Sequence, residues 1–343
     1  LEPIEARKQD HIRLSLTEDV QFERLPTGFD SLRFEHLALP ELDFAEIDPS
    51  VTFLGKRLAA PLIISSMTGG PAMGGTINRN LAEAAQRAQI AMGLGSQRIT
   101  LEKPESTTSF QVRDVAPDVL LIGNIGAVQL NYGVGLEECR RLVESVGADA
   151  LYLHLNPLQE VIQPEGDQNF KGLLAKIRLI ASELGVPVLA KEVGSGISGP
   201  LAKQLAEAGI AAIDVSGAGG TSWALIEAKR APHPLQQSLG ERFRDWGIPT
   251  TRALVQCRDM LPEMPLVASG GIRTGIDVAK AIALGADAAA MAHPFLEAAT
   301  RSSDAVAEVI DRLVQELKIA MFLVGARTIA DLKGRRDLLA EER

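Results

Sequence analysis

Lys191 and Glu192 interrupt an otherwise apolar stretch, PVLAKEV (187–193). Successive side chains of a strand face opposite ways, so the two do not pair with each other. A lysine directed into a sheet-lined interior needs an anionic partner. The electron-rich N1/O2 edge of a flavin is such a partner. Two further strings read as a phosphate site: Gly270-Gly271-Ile272 in SGGIRTGIDVAKAIALGA and Ala292-His293 in MAHPF, each at a strand end. Backbone N–H groups there would hold an anion, and glycine leaves the approach open. HLNPLQE (154–160) gathers His154, Asn156, Gln159 and Glu160. Mg²⁺ commonly takes one or two carboxylates plus substrate phosphates, which suits Glu160, whereas a lone His154 at a strand end reads as a core histidine. Arg7, Lys8 and His11 form a basic cluster, and Arg98 follows in GSQRI. Arginine grips phosphate bidentately and lysine meets it as a point charge, so together they suit a diphosphate.

GSGISG (194–199) competes with this reading. It is a formal G-x-G-x-x-G between a strand and a helix, and Asp214 lies 20 residues beyond Gly194. That is the pattern of a dinucleotide-binding turn. Against it stand the charged Lys-Glu pair ending the preceding strand and the separate phosphate site. No G-x-S-x-G elbow, H-E-x-x-H or Walker loop occurs, so the hard chemistry is expected of a cofactor.

The elements that must position these residues follow from apolar periodicity. Eight strand candidates lie at 61–67, 90–95, 119–124, 150–156, 187–193, 211–216, 265–270 and 288–293, alternating with helical segments. Buried parallel strands in that number predict an α/β fold, a (β/α)₈ TIM barrel, with the site on the face where the strands end. In SGPLAKQLAEAG, Leu201, Leu205 and Ala208 share a helical face, and in TGIDVAKAIALGA so do Ile276, Ala279 and Ala283. A polar arm, 1–60, precedes the barrel, 61–343, and the long interruption at 217–264 reads as an active-site loop. The chain of 343 residues carries a net charge of −9 without a basic stripe, which argues against nucleic acid. Two cysteines without metal or disulfide spacing fit a reducing cytosol, hence a cytoplasmic location. No apolar run is long enough to cross a bilayer, and no membrane partner is expected.

The strings RKQDHI (7–12), SMTGG (66–70), GSQR (95–98), HLNPLQE (154–160), KEVGSG (191–196), GAGGT (217–221), WGIPT (246–250), ASGGIR (268–273) and GARTIADL (325–332) together resemble the type 2 isopentenyl-diphosphate isomerases. These are FMN-dependent (β/α)₈-barrel enzymes, and the resemblance covers nearly the whole chain. It implies flavin contacts at Ser66, Met67, Thr68, Ser96, Asn124, Ser216 and Lys191. Thr221, Gly270, Gly271, Ile272, Ala292 and His293 would hold the ribityl phosphate end. Arg7, Lys8, His11, Ser96, Gln97, Arg98 and Asn156 would hold the substrate, with Gln159 near its hydrocarbon tail and Glu160 on Mg²⁺. Ser222-Trp223 stands where the family often has Asn-Phe, and His293 where a small or apolar residue is common.

The implied reaction is a 1,3-allylic proton shift between isopentenyl and dimethylallyl diphosphate in isoprenoid biosynthesis, with reduced FMN as the acid/base. Gln159 and Lys191 would be the catalytic side chains, and NAD(P)H would serve only to reduce the flavin. A homo-oligomer, tetramer or octamer, is implied. The alternative is an FMN- or NAD(P)-dependent TIM-barrel oxidoreductase acting on a small phosphorylated or hydroxy-acid substrate.

Overall fold

The computed structural model describes residues 4–70 and 72–341. Eight parallel strands close into a barrel: β1 (Leu62–Ile64), β2 (Ala91–Gly93), β3 (Leu121–Gly126), β4 (Ala150–Leu155), β5 (Val188–Glu192), β6 (Ala212–Asp214), β7 (Leu266–Ser269) and β8 (Ala288–Met291). Each pairs with its neighbours in sequence, and β8 pairs with β1 through Ala289↔Leu62. Seven fall inside the expected segments; β3 overlaps its segment, 119–124, but runs on to Gly126. The other seven are shorter than expected because residues at the ends of each segment leave the ladder, those at the C-terminal ends forming the mouth.

Alternation sorts the strand residues into two cores. Ile63, Ala91, Ile122, Tyr152, Leu189, Ala212, Val267 and Ala290 pack together inside the barrel. The bottom is closed by Phe53 and Leu58 from the hairpin Val51–Phe53/Lys56–Leu58. Their neighbours, such as Leu62, Ile64 and Ile213, face outward onto the helices. The period of two then fixes the layer above the inner core. Two residues beyond Ile122, Tyr152, Leu189, Ala212 and Val267 come Asn124, His154, Lys191, Asp214 and Ser269. The interior therefore changes from apolar to polar within one step along the strands.

The base carries a repeat that the apolar pattern did not reveal. RDVAPDVLL (113–121) before β3 matches RDMLPEMPL (258–266) before β7, and GADA recurs at 147–150 and 285–288. Arg113 donates to Asp149 at 2.7 Å, and Asp149 accepts from the Leu121 N–H at 2.9 Å. Arg258 donates to Asp287 at 2.8 Å, and Asp287 accepts from the Leu266 N–H at 2.9 Å. The same clamp thus sits four strands apart, once in each half of the barrel.

The arm crosses the mouth. Its helix Ile4–Thr17 puts Lys8 and His11 one turn apart on the inner face. Leu32–Phe34 pairs antiparallel with Leu339–Glu341, tying the arm to the last segment. The interruption after β6 carries the helices Trp223–Arg230, Pro234–Arg242 and Thr250–Met260. In the helix Gly199–Glu207, Leu205 is buried as expected. In Gly275–Ala283 the expected face is incomplete: Ala279 and Ala283 are buried, but Ile276 is exposed, because in the first turn it is Gly275 that meets the helix Ser303–Leu323.

Candidate active site

The polar layer and the arm enclose a cavity of about 250 Å³ at the C-terminal ends of the strands. Its floor is an ion pair. Lys191 and Asp214 are in register on β5 and β6, with Nζ 3.3 Å from Oδ2. Lys191 also donates to Ser216 Oγ at 3.2 Å and Ser269 Oγ at 3.4 Å, and Ser269 donates to Asp214. Asp214, read as a ribose ligand in the dinucleotide alternative, is fully buried and serves Lys191 instead. Ser216 adopts φ 36°, a strained value for a non-glycine residue. Beside the pair, His154 Nδ1 lies 2.8 Å from Asn124 Oδ1, and Asn124 Nδ2 donates to Ser66 Oγ at 2.9 Å. Burial, followed by the charges of Lys191, Lys8 and Arg7, lowers His154 to about 4, so its ring is neutral at pH 7.

One end of the cavity is built from backbone. Gly270 and Gly271 have φ of 100° and 72°. A Cβ on Gly270 would lie 2.1 Å from the Gly217 carbonyl, so no side chain fits there. The helix His293–Arg301 starts beside them with no side-chain cap, whereas the helix Gly275–Ala283 is closed by the Thr274/Asp277 capping box. The free N–H groups of the former are the ones that suit an anion. Arg273 borders this end and donates to Gln21 Oε1 at 2.6 Å.

The other end is built from side chains. Lys8 Nζ donates to the carbonyls of Gly69 at 2.8 Å and Ser96 at 2.7 Å and lies 5.0 Å from the Phe110 ring centre. Burial, then Arg7, lowers its pKa to about 7. Arg7 makes no ion pair among the described residues. Burial lowers its pKa, and the charges of Glu227 and Glu160 act on it through space in the opposite direction. Arg98 is held by Asp167 at 2.6 Å and Glu102 at 3.3 Å. Glu160 accepts from Asn156 Nδ2 at 2.9 Å and from the Asp167 N–H at 2.7 Å, and burial raises its pKa.

Between the two ends, Gln159 Nε2 donates to Glu227 Oε1 at 2.9 Å and Gln159 Oε1 accepts from Asn156 at 3.1 Å. His11 Nε2 lies 2.9 Å from the same Glu227 oxygen, and Arg230 donates to the other. Burial alone would raise Glu227, but His11, Arg230 and Gln159 hold it at about 2.

The structure brings together on this cavity Arg7, Lys8, His11, Ser96, Arg98, Asn156, Gln159 and Glu160 from the substrate and metal expectations. It also brings Ser66, Met67, Thr68, Asn124, Lys191, Ser216, Thr221, Gly270, Gly271, Ile272, Ala292 and His293 from the flavin expectations. Gln97 is the exception. It is fully buried, its Nε2 donates to the Leu142 carbonyl at 3.0 Å and its Oε1 accepts from the Asn124 N–H at 2.9 Å. Its side chain braces β3 and does not reach the cavity.

The GSGISG loop is also not a nucleotide turn. Glu192 Oε2 accepts from the N–H groups of Val193 at 2.7 Å, Gly194 at 2.6 Å, Ser195, and Gly196 at 3.2 Å. The chain's own carboxylate occupies the place a phosphate would take. Sequence reasoning missed this role, along with Glu227 and the Asp214 partner of Lys191. Glu227 left a signal: it is the one acid among the buried residues Ala224, Leu225, Ile226 and Ala228.

The residues fit a flavin mononucleotide. The glycine cradle and uncapped helix suit its phosphate, and Lys191 its N1/O2 edge. Thr68 Oγ1, Asn156 Oδ1 and Gln163 Nε2, all on cavity-lining residues, are buried without a hydrogen-bond partner among the described residues. Such orphaned groups are costly unless a ligand or water meets them. Among the described residues no group of three His, Cys, Asp or Glu could hold a metal, so a divalent ion here would share Glu160 with a ligand's phosphates.

Comparison with known proteins agrees. The chain matches the FMN-dependent dehydrogenase family over residues 3–112 and 152–340. It is 54% identical to an isopentenyl-diphosphate delta-isomerase of a Nostoc species over 96% of this chain and 94% of that protein. It is 52% identical to one from a Synechococcus species, over 95% and 94%. Among solved structures it resembles a putative lactate oxidase of Pediococcus acidilactici, with a TM-score of 0.70, 17% identity and coverage of 100% and 94%. A mandelate oxidase gives 0.65 at 18% identity, over 92% and 90%. At those identities the oxidases share the barrel fold alone.

Proposed function

This chain belongs to the isopentenyl-diphosphate delta-isomerases within the FMN-dependent dehydrogenase family, and on that premise we propose that it interconverts isopentenyl and dimethylallyl diphosphate by a 1,3-allylic proton shift. The observation that carries this reading is one cavity with two anion-binding ends, one of backbone and one of cationic side chains. A flavin has one phosphate and the substrate has a diphosphate, and the two ends differ accordingly.

Reduced FMN supplies exchangeable protons and an electron-rich ring that favours developing positive charge. The chain's own residues bind and orient. The Gly270–Gly271 backbone and the start of the helix at His293 hold the cofactor phosphate. Lys191, fixed by Asp214, Ser216 and Ser269, would meet the ring's negative edge. Arg7 has no competing carboxylate within ion-pair distance among the described residues and takes the diphosphate, with Lys8, Ser96 and Arg98 around it. Glu160, with the unpartnered Asn156 Oδ1 beside it, would hold Mg²⁺, which would neutralise the diphosphate. Gln159 positions the hydrocarbon end, because both ends of its amide are held and Glu227, ionised at neutral pH, has no proton to pass to it. Ile12 of the arm and Trp223 give this part of the cavity apolar cover against water. NAD(P)H is needed once, to reduce the flavin, since the isomerisation has no net electron transfer.

The test is anaerobic turnover of isopentenyl diphosphate with reduced FMN and Mg²⁺, followed by NMR. The expected result is an allylic product in large excess over any NAD(P)H consumed. Consumption in step with product would replace this reading by the oxidoreductase alternative.

A further inference from the structure

Glu192 is a buried carboxylate that the chemistry above does not use. It faces away from the barrel interior, opposite to Lys191. Its Oε2 is the common acceptor for four consecutive N–H groups, those of residues 193 to 196. Convergent main-chain donors of this kind form an anion-binding nest, and in a dinucleotide turn a phosphate fills it. Here the acceptor is covalently part of the preceding strand; burial raises its carboxyl to about 7, and the four N–H groups pull it back towards the charged form.

The loop so fixed touches the site at several points. Val193 and Gly194 line the cavity. Gly194 packs so closely that an added Cβ would lie 3.0 Å from the Thr221 carbonyl and 3.9 Å from Trp223 Cδ1. The Gly196 N–H also reaches the Ser216 carbonyl at 2.9 Å, and Ser216 is the strained partner of Lys191. The Ser195 carbonyl accepts from the Ile248 N–H at 2.9 Å, fastening the insertion after β6. Behind the loop, a second pocket of about 10 Å³ separates Glu192 from Leu158, Gln159 and Trp223. That is room for about one water molecule.

We infer that Glu192 is a positioning residue for the isomerase reaction: its carboxylate is the resident anion of the 193–196 nest and holds the loop that sets Gly194, Ser216 and Trp223 around the reacting groups. Removing the carboxylate leaves the N–H groups of 193–195 without an acceptor, whereas Gly196 keeps the Ser216 carbonyl. An amide in its place meets the four donors with a neutral oxygen only. Either way the wall relaxes although no residue that touches the ligands has changed. Small misplacements of this kind act on kcat more than on ligand affinity.

The test uses Glu192→Gln and Glu192→Ala in the FMN-loaded enzyme. Amide hydrogen exchange at 193–196 should speed up in both, and kcat should fall by about ten- to a hundredfold with KM for isopentenyl diphosphate nearly unchanged. Formate or acetate should restore both protection and kcat in Glu192→Ala by entering the vacated nest, but not in Glu192→Gln, whose side chain still fills it. If the alanine variant does not fold, Glu192→Gln alone decides through exchange and kcat. Wild-type exchange in the variants, or faster exchange with unchanged kcat, overturns the inference. The kcat readout rests on the isomerase reading, whereas exchange does not, so a failure of either is seen separately.

Discussion

The ends of β3–β4 and of β7–β8 are related at the base and unlike at the mouth. Below, each pair carries the same arginine–aspartate clamp, with an aspartate accepting from the first N–H of the neighbouring strand. Above, β7–β8 open into glycine backbone and an uncapped helix, while β3–β4 open into Asn124, His154, Asn156, Gln159 and Glu160 beneath a cationic arm. The base of a barrel holds the strands together and its mouth does the chemistry. Shared ancestry of constraint is visible only where the constraint is stability. On the proposed function the mouths diverge because a resident cofactor is best held by rigid backbone, whereas a substrate that enters and leaves needs side chains on a separable arm.

The largest effect should come from the floor that both ends share. Lys191→Met leaves Asp214 buried beside Ser269 and Tyr152 without its cation. Breaking a buried pair in this way costs about 3–5 kcal/mol, so denaturant unfolding should show a loss of that order and turnover should vanish. Retained stability would mean that Asp214 finds another partner.

Glu160→Gln keeps the hydrogen bond from Asn156 but removes the charge. The Mg²⁺ concentration for half-maximal turnover should rise about tenfold or more, with FMN affinity unchanged. An identical metal titration would remove Glu160 from the metal site.

A smaller effect should come from pH. Lys8, lowered to about 7, loses its charge as pH rises through neutrality. Its contribution to diphosphate binding then weakens, so KM should rise between pH 7 and 8, and this limb should be absent in Lys8→Met. Stability moves the other way. Folded Lys8 holds fewer protons than unfolded lysine between about 7 and 10.5, so the cost of charging it in the fold applies below pH 7 and is relieved as pH rises. His154 adds an acid limb. It is lowered to about 4 from 6.5, so it supports the fold above pH 6.5 and that support is lost as pH falls towards 4.

Much of this was legible in the residues. Eight apolar runs located eight strands, because a strand buried on both faces has a continuous pattern. Most of the residues that line the cavity lie where polar or glycine residues end those runs. Pairings across the barrel were not legible. Lys191 was seen to need an anion, but Asp214 became its partner only through strand register, which no local pattern encodes. Gln97 sits between Ser96 and Arg98 yet turns the other way, because it lies in the turn that starts the helix Arg98–Glu102, where its amide is drawn to the Leu142 carbonyl and the Asn124 N–H. The role of Glu192 stayed hidden for a related reason: a G-x-G-x-x-G spacing reports a nest of N–H groups and does not report which anion fills it. The base clamps escaped because apolar periodicity does not register a repeated Arg and Asp.

The central claim is that the two ends bind separately, and calorimetry on two variants tests it most directly. Arg7→Ala should weaken isopentenyl diphosphate binding about tenfold and leave FMN binding within twofold, as expected for losing one charge-assisted phosphate contact. Gly270→Ala, whose Cβ would meet the Gly217 carbonyl, should do the reverse: weaken FMN and leave the arm's response to inorganic diphosphate intact. If both ligands weaken together in either folded variant, the cavity is a single coupled site and the account is wrong.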